Sequence, residues 1–219
     1  DSDMLFGNLE LIMNRELSME RPEIFLVRHG ETTWNRIGRH QGQTESVLTL
    51  NGMHQAQGVG RRLAREIDDW GSVKIFCSPM YRCRQTAAVI CDEIAVDTET
   101  ITYDDRLKER SFGSWEGMTD EEIAARFPAD WAARESDKWN YVIAGGGENY
   151  PALEARMGDW LDDQSLNTRI VLVTHGQAGR ALRRRYLEIS PEDALVLPEP
   201  QTAAFRLANG ASQTLEGDF

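Results

Sequence analysis

Ile24-Phe25-Leu26-Val27-Arg28-His29-Gly30-Glu31-Thr32-Thr33-Trp34-Asn35 is the stretch from which the chain is read. Four consecutive apolar residues are too few for a membrane span and, bounded by polar residues, fit a short strand buried on both faces of an α/β sheet. At the strand's carboxyl end a guanidinium, an imidazole and a glycine follow in turn. That edge is where open α/β sheets bind ligands, because loops diverge there and helix amino termini point inward. A neutral imidazole at His29 is a competent nucleophile towards phosphorus, and Arg28 beside it clamps phosphoryl oxygens and keeps the ring unprotonated. On Arg-His-Gly alone, a strand-end histidine that merely caps a turn reads equally well.

The rest of the chain supplies the sheet. Asn51-Gly52 begins a helix with Met53, Ala56, Val59, Leu63 and Ile67 near helical spacing, ended by Gly71. Val73–Cys77 reads as a second strand, with Ser78-Pro79 turning into a helix over Gln85–Ala95. Ile101–Asp104 is a short strand and Leu107–Gly117 a loop. A helix runs from Thr119 to about Phe127 with Pro128 as its stop, and Gly145–Gly147 holds the most conformational freedom. Tyr150–Asp163 is a helix, Ile170–Thr174 a second strongly apolar strand, and Gln177–Leu187 another helix. Ala203–Leu207 makes a last strand, with Asn209-Gly210 turning after it. Alternating strands and helices imply right-handed crossovers and a three-layer α/β/α fold around a mainly parallel sheet. The expected organisation is an amino-terminal extension over 1–22, helical or an ordered tail, and a single domain over 23–219.

At 219 residues one domain buries roughly 70% of its unfolded surface, so neither cofactor nor disulfide is needed for stability. Thirty-six acidic against 24 basic residues, net −12, argue against nucleic acid or an anionic membrane as partner. The same field repels an anionic substrate, so a phosphate site must gather its own arginines near His29. Cys77, Cys83 and Cys91, an odd count without a Cys-x-x-Cys pair, point to a reduced, cytoplasmic chain. No stretch reaches 18 apolar residues, and no basic-then-apolar leader opens the sequence.

Three further stretches carry chemistry. Ile170–Thr174 also ends in His-Gly, His175-Gly176. Adjacent parallel strands set their ends about 5 Å apart, so His29 and His175 face one anion if their strands are neighbours. Ser78-Pro79-Met80-Tyr81-Arg82-Cys83-Arg84-Gln85-Thr86-Ala87 places Arg82 just after a strand at a helix start, where guanidinium and helix amino terminus both suit a phosphate dianion. Leu107-Lys108-Glu109-Arg110-Ser111-Phe112-Gly113-Ser114-Trp115-Glu116-Gly117 is the third.

Together these resemble the histidine phosphatase superfamily, the phosphoglycerate mutase-like proteins, over roughly Glu23 to Leu207. The first motif is similar to the family's Leu-Val-Arg-His-Gly-Glu-Thr-x-Trp-Asn, the second to Ser-Pro-Leu-x-Arg-Ala-x-Gln-Thr-Ala, the third to Leu-x-Glu-x-x-Phe-Gly-x-Trp-Glu-Gly. The resemblance makes His29 the nucleophile, Arg82 a phosphate ligand with Arg28 and His175, and Glu109 the proton donor to the leaving group. Expelling an alkoxide without an acid costs too much. Asn35, Gln41 and Gly176 join the phosphate-binding set, and Gly147-Glu148-Asn149 resembles a Gly-Glu-Ser that lies near the site. Tyr81, Phe112, Trp115, Glu148 and Gln177 are expected around the substrate pocket, Glu116 in a structural role, and His40 and His54 as ordinary residues, one on a mobile rim. Departures fall at Glu45-Ser46-Val47, where the family has Asp-x-Pro, and at Gln177, where it often has Gly.

The implied activity is that of a histidine acid-type phosphatase, a phosphomonoesterase on small phosphate esters without metal or other cofactor. A mutase and a non-catalytic phosphoester-binding protein are the alternatives, and a homodimer stays open. Mutases resembling the family carry a longer, Arg-rich insertion after the acid motif, whereas Met118–Gly147 here is short and acidic.

Overall fold

The computed structural model describes residues 21–219; the expected extension lies, up to residue 20, outside the described residues. Strands β1 (Glu23–Arg28), β2 (Val73–Cys77), β3 (Ile101–Tyr103) and β4 (Arg169–Thr174) run parallel, and β5 (Ala203–Ala208) and β6 (Ala211–Glu216) complete a six-stranded sheet in the order β3-β2-β4-β1-β5-β6. Side chains alternate across a strand, and here both sets are apolar. Phe25, Val27, Val171 and Val173 pack on one face under α2 (Leu50–Glu66) and α3 (Tyr81–Glu93). Ile24, Leu26, Ile170 and Leu172 pack on the other, under α6 (Tyr150–Asp162) and α7 (Gly176–Leu187). The result is the expected three-layer α/β/α fold.

The helix after β1 depends on its cap and on missing side chains. Thr49 accepts the Gly52 N–H at 3.0 Å and starts α2. A Cβ on Gly30 would lie 2.2 Å from the Gly52 carbonyl oxygen, and one on Gly52 would lie 2.1 Å from that of Glu31. Two glycines therefore let the loop after β1 lie directly on the first turn of α2. The Gly30 N–H donates to Thr86 Oγ1 of α3 at 3.0 Å.

Several boundaries differ from the expectation, each for a local reason. Helix α3 begins at Tyr81, not Gln85, because the Glu45 carboxylate accepts the Tyr81 N–H at 2.9 Å and satisfies its first turn. Pro128 both stops α4 (Asp120–Arg126) and starts α5 (Pro128–Ser136), since a proline lacks only a donor that a first turn does not use. Two short helices, α1 (Thr33–Arg36) and α8 (Pro191–Leu195), fall in stretches to which no element was assigned. After β5 the chain turns at Asn209 and Gly210, both at positive φ, into the unexpected β6, whose only buried side chain is Leu215. An edge strand with one buried residue has no apolar alternation to announce it. Around Phe112, Trp115, Met118, Ile123 and Ile143 a separate small core supports α4 and α5. Among the described residues no helix is long and apolar enough to cross a membrane.

Because neither backbone can yield, Gly30→Ala is expected to lower stability by about 1–3 kcal/mol, the usual cost of overpacking. Thermal unfolding read by circular dichroism should show a drop of about 2–4 °C for each kcal/mol lost.

Candidate active site

Strands β1 and β4 pair in parallel with Arg28 opposite Thr174, so the next residues, His29 and His175, leave the sheet side by side. Both follow the in-phase positions Phe25, Val27 and Val171, Val173 and emerge towards α3. Their rings meet edge to face with centroids 5.2 Å apart, and both are buried. His29 Nδ1 lies 2.8 Å from the Gly30 carbonyl. A carbonyl can only accept, so the proton sits on Nδ1 and Nε2 carries the lone pair. His175 is held in the opposite sense: its Nδ1 accepts from Arg82 Nε at 3.1 Å and its Nε2 donates to Ser78 Oγ at 2.8 Å. Burial, then the charges of Arg82 and Arg28, hold His29 well below the ordinary imidazole range; burial and then Arg82 do the same for His175.

Arg82, in the first turn of α3, is fully buried and bonds no carboxylate among the described residues. Besides His175, it donates from Nη1 to the Thr44 carbonyl at 3.0 Å and from Nη2 to the Gly42 carbonyl at 2.7 Å. The Gly42–Thr44 loop is held in turn by Glu116, which accepts from Gln43 N at 3.0 Å, Thr44 Oγ1 at 2.5 Å and Phe112 N at 3.2 Å. This is the structural role expected of Glu116. The Glu45-Ser46-Val47 departure is absorbed locally, Glu45 capping α3 and Ser46 accepting from the Trp34 N–H.

Glu109 reaches the same place from the other side of the sheet. Its Oε1 accepts from Arg110 N at 2.9 Å and Ala178 N at 3.0 Å, its Oε2 from Gln177 N at 3.2 Å, so it caps the amino terminus of α7. Its backbone is clamped by Arg156, which donates to the carbonyls of Arg106, Lys108 and Glu109 and makes two 2.8 Å bonds to Glu148. Burial opposes ionisation of Glu148, but the Arg156 contacts prevail and hold its carboxyl below the usual range.

These residues frame a cleft of about 450 Å³ that opens to solvent. Arg28, His29, Asn35, Gln41, Arg82, Glu109, Phe112, Gly176 and Gln177 line it as expected. His175 does not; it stands behind His29 and Arg82 and acts on the cleft through them. Trp115 is buried in the small core against Trp131 and Tyr141. Tyr81 is 52% exposed outside the cleft because only its N–H turns inward. Glu148 is spent on Arg156. These three therefore leave the expected pocket set.

Four residues outside the expected set also line the cleft: Arg39, His40, Gly42 and Glu199. Arg39 binds Glu122 through both carboxylate oxygens, at 2.6 and 2.9 Å, joining the rim to α4. His40, expected to be an ordinary residue, packs at a tilt against Phe112 with centroids 4.6 Å apart and meets Asp120 at 2.6 Å. Glu199 pairs with Arg180 at 2.9 Å, and its carbonyl accepts from Arg28 Nη1 at 2.6 Å. Burial pushes the Glu199 carboxyl up against the pull of Arg180 and Arg28. A signal existed for Glu199: an acid between Pro198 and Pro200, just before the last strand, sits in a stiffened loop at the carboxyl edge. Cys83 touches His175, with Sγ 3.4 Å from Nε2, and burial raises its thiol far above the ordinary range. Among the described residues no group of three or more His, Cys, Asp or Glu is placed to hold a metal ion.

The model of the histidine phosphatase superfamily, branch 1, matches residues 24–212. The chain belongs to this superfamily. Its relatives among characterised proteins include a metal-independent phosphoserine phosphatase of Arabidopsis thaliana, 36% identical over 184 residues, covering 83% of this chain and 75% of that one. Among solved structures, α-ribazole phosphatase from Shigella flexneri superposes with a TM-score of 0.72 at 22% identity, covering 90% of this chain and 96% of the other. A variant of phosphoserine phosphatase from Entamoeba histolytica, in complex with phosphoserine, superposes with a TM-score of 0.70 at 27% identity, covering 90% and 96%.

The two buried imidazoles of this histidine phosphatase link stability to pH. Both stay neutral in the folded chain, while the unfolded chain protonates them near pH 6.5. Their contribution is therefore complete above pH 6.5 and is lost as the pH falls below it, by up to about 1.4 kcal/mol per pH unit for each group. Urea unfolding at pH 7.5, 6.5 and 5.5 should show this decline, and His29→Gln should make it shallower.

Proposed function

We propose that this histidine phosphatase is a metal-independent phosphomonoesterase of the histidine acid type that works through a phosphohistidine at His29, with O-phosphoserine the first substrate to test. The observation that carries the reading is Arg82, a fully buried guanidinium bonded, among the described residues, only to two carbonyls and an imidazole. A buried charge without a counter-ion is costly, and a bound anion compensates it. Two of its five N–H groups remain for that anion. Arg28 Nε, buried without a partner among the described residues, is another donor at the cleft.

In the proposed reaction Arg28, Arg82 and the Asn35 amide hold the phosphoryl oxygens, with Gln41 and Gly176 beside them. Asn35 offers its NH2 group, since its Oδ1 already accepts from Thr32 and Gln201. The Nε2 lone pair of His29 forms the N–P bond as the P–O bond to the alcohol breaks, and Glu109 gives its proton to the departing oxygen. Water then attacks phosphorus, Glu109 takes its proton, and the N–P bond breaks to release inorganic phosphate and free Nε2. Positioning and charge neutralisation supply most of the acceleration, as is general for phosphoryl transfer. His175 acts as a positioning residue that orients Arg82 and packs against His29. The relatives from Arabidopsis and Entamoeba support phosphoserine by what they are named for. The short Met118–Gly147 segment, bound to the rim by Arg39 and His40, supports hydrolysis over transfer to a second alcohol, which requires shielding from water.

His29→Ala is expected to lower kcat for phosphate release by ~10³-fold or more; turnover retained by this variant overturns the assignment. Glu109→Gln should lose about 10²–10⁴-fold on phosphoserine and far less on p-nitrophenyl phosphate, whose leaving group departs without a proton. Activity should survive EDTA, and an assay with phosphoglycerate and bisphosphoglycerate primer should yield inorganic phosphate rather than the isomeric phosphoglycerate.

A further inference from the structure

An anion site has no evident use for a second carboxylate, yet Glu199 lines this one. Its position is built rather than incidental. The Glu199 Oε2 atom lies 2.6 Å from where a Cβ on Gly176 would stand, so only glycine at the first residue of α7 admits it. Arg180 lies against Oε1 and is itself held by the Tyr150 hydroxyl at 2.8 Å and the Leu197 carbonyl at 3.2 Å. Among the described residues Oε2 accepts no hydrogen bond. Glu199 Oε1 meets Arg180 as an ion pair without a hydrogen bond, and the neighbouring Gln177 Oε1, in the same wall, is likewise buried without a hydrogen-bond partner among the described residues. Unpaired acceptors beside a phosphate pocket repel the dianion and lose their own hydration when a ligand enters. They suit a ligand whose alcohol carries a cationic donor close to the ester oxygen. On the rim, Arg39 and His40 are already bound to Glu122 and Asp120, so the carboxylate of Glu199 is what an incoming cationic donor meets in this wall.

We propose that Glu199 is the specificity-determining residue for this cleft, with Oε2 accepting a hydrogen bond from a substrate ammonium, and that the substrate class is the phosphate esters of amino alcohols and hydroxy amino acids. The inference rests on the phosphomonoesterase reading above. It discriminates between two near-isosteres: O-phospho-L-serine carries an ammonium where 3-phosphoglycerate carries a hydroxyl. A site built for the cation rejects the neutral analogue because its acceptors stay unpaired.

The test is steady-state kinetics of the purified chain and its Glu199→Gln variant on O-phospho-L-serine, 3-phosphoglycerate and p-nitrophenyl phosphate. Wild type should favour phosphoserine over 3-phosphoglycerate. Glu199→Gln should reduce that ratio of kcat/KM at least tenfold, chiefly by raising KM for phosphoserine, while kcat/KM for 3-phosphoglycerate rises. Glu199→Asp, which keeps the charge, should keep the preference with a higher KM; it also decides the matter if the Gln variant folds poorly. A parallel fall on both physiological esters would mean that Glu199 only holds Arg28 and Arg180, and overturns the proposal. Wild-type preference for 3-phosphoglycerate overturns it too but leaves the phosphomonoesterase standing. Inertness towards all three substrates sinks both.

Discussion

The site depends on one constraint, the unshifted parallel pairing of β1 with β4. With Arg28 opposite Thr174, His29 and His175 leave adjacent strands at the same height and on the same side. A slip of one residue would send one imidazole to the opposite face, because side-chain direction alternates at every position. What prevents the slip is the burial of both faces: Phe25 and Val27 belong to one core, Ile24 and Leu26 to the other, and β4 follows the same pattern. Hydrophobic burial well away from any chemistry thus sets the distance between two reactive rings.

Around that pair the molecule solves a problem of charge. The chain carries a net −12, yet the cleft gathers Arg28, Arg39 and Arg82. Each is held in a different way. Arg82 hangs from carbonyls of the Gly42–Thr44 loop, which Glu116 supports from outside; Arg28 is tied to the Glu199 carbonyl; Arg39 is bound to Glu122. Among the described residues only the rim arginine bonds a carboxylate directly. Arg28 is left with a backbone carbonyl, and Arg82 with two carbonyls and the neutral His175 ring, which keeps their charge available to an incoming anion. The same logic keeps His29 neutral and in one tautomer, since burial and two arginines oppose its protonation while Gly30 claims Nδ1. Glu109 is placed just as firmly, by backbone N–H groups of α7 and by the Arg156–Glu148 clamp behind it.

Much of this could be read from the residues in order, because the chemistry sits at places where local structure changes. Arg28, His29 and Gly30 follow an apolar run, Arg82 follows a strand and opens a helix, and both histidines precede glycines. Such residues stay at the carboxyl edge whatever the loops do. The reading failed where a residue's neighbours come from distant segments. Trp115 and Phe112 stand three apart in one loop, yet Trp115 turns into the small core and Phe112 into the cleft. Glu148 was expected in the pocket and is bound to Arg156, eight residues on; His40 was dismissed and packs against Phe112. Nothing periodic marks β6, which pairs along an edge with one buried side chain.

The amino-acid order by itself determined the layered α/β architecture, the sheet edge at which the candidate site forms, and the imidazole, guanidinium and carboxyl groups that gather there, since all of these follow from short-range pattern and intrinsic chemistry. Only the tertiary structure decided which imidazole faces the cleft and which stands behind it, that a second carboxylate shares the pocket, and which aromatic rings line it. Those outcomes depend on contacts between segments far apart in the chain, such as Arg82 with His175 and Arg28 with Glu199, whose directions are set by the packing of whole helices on the sheet.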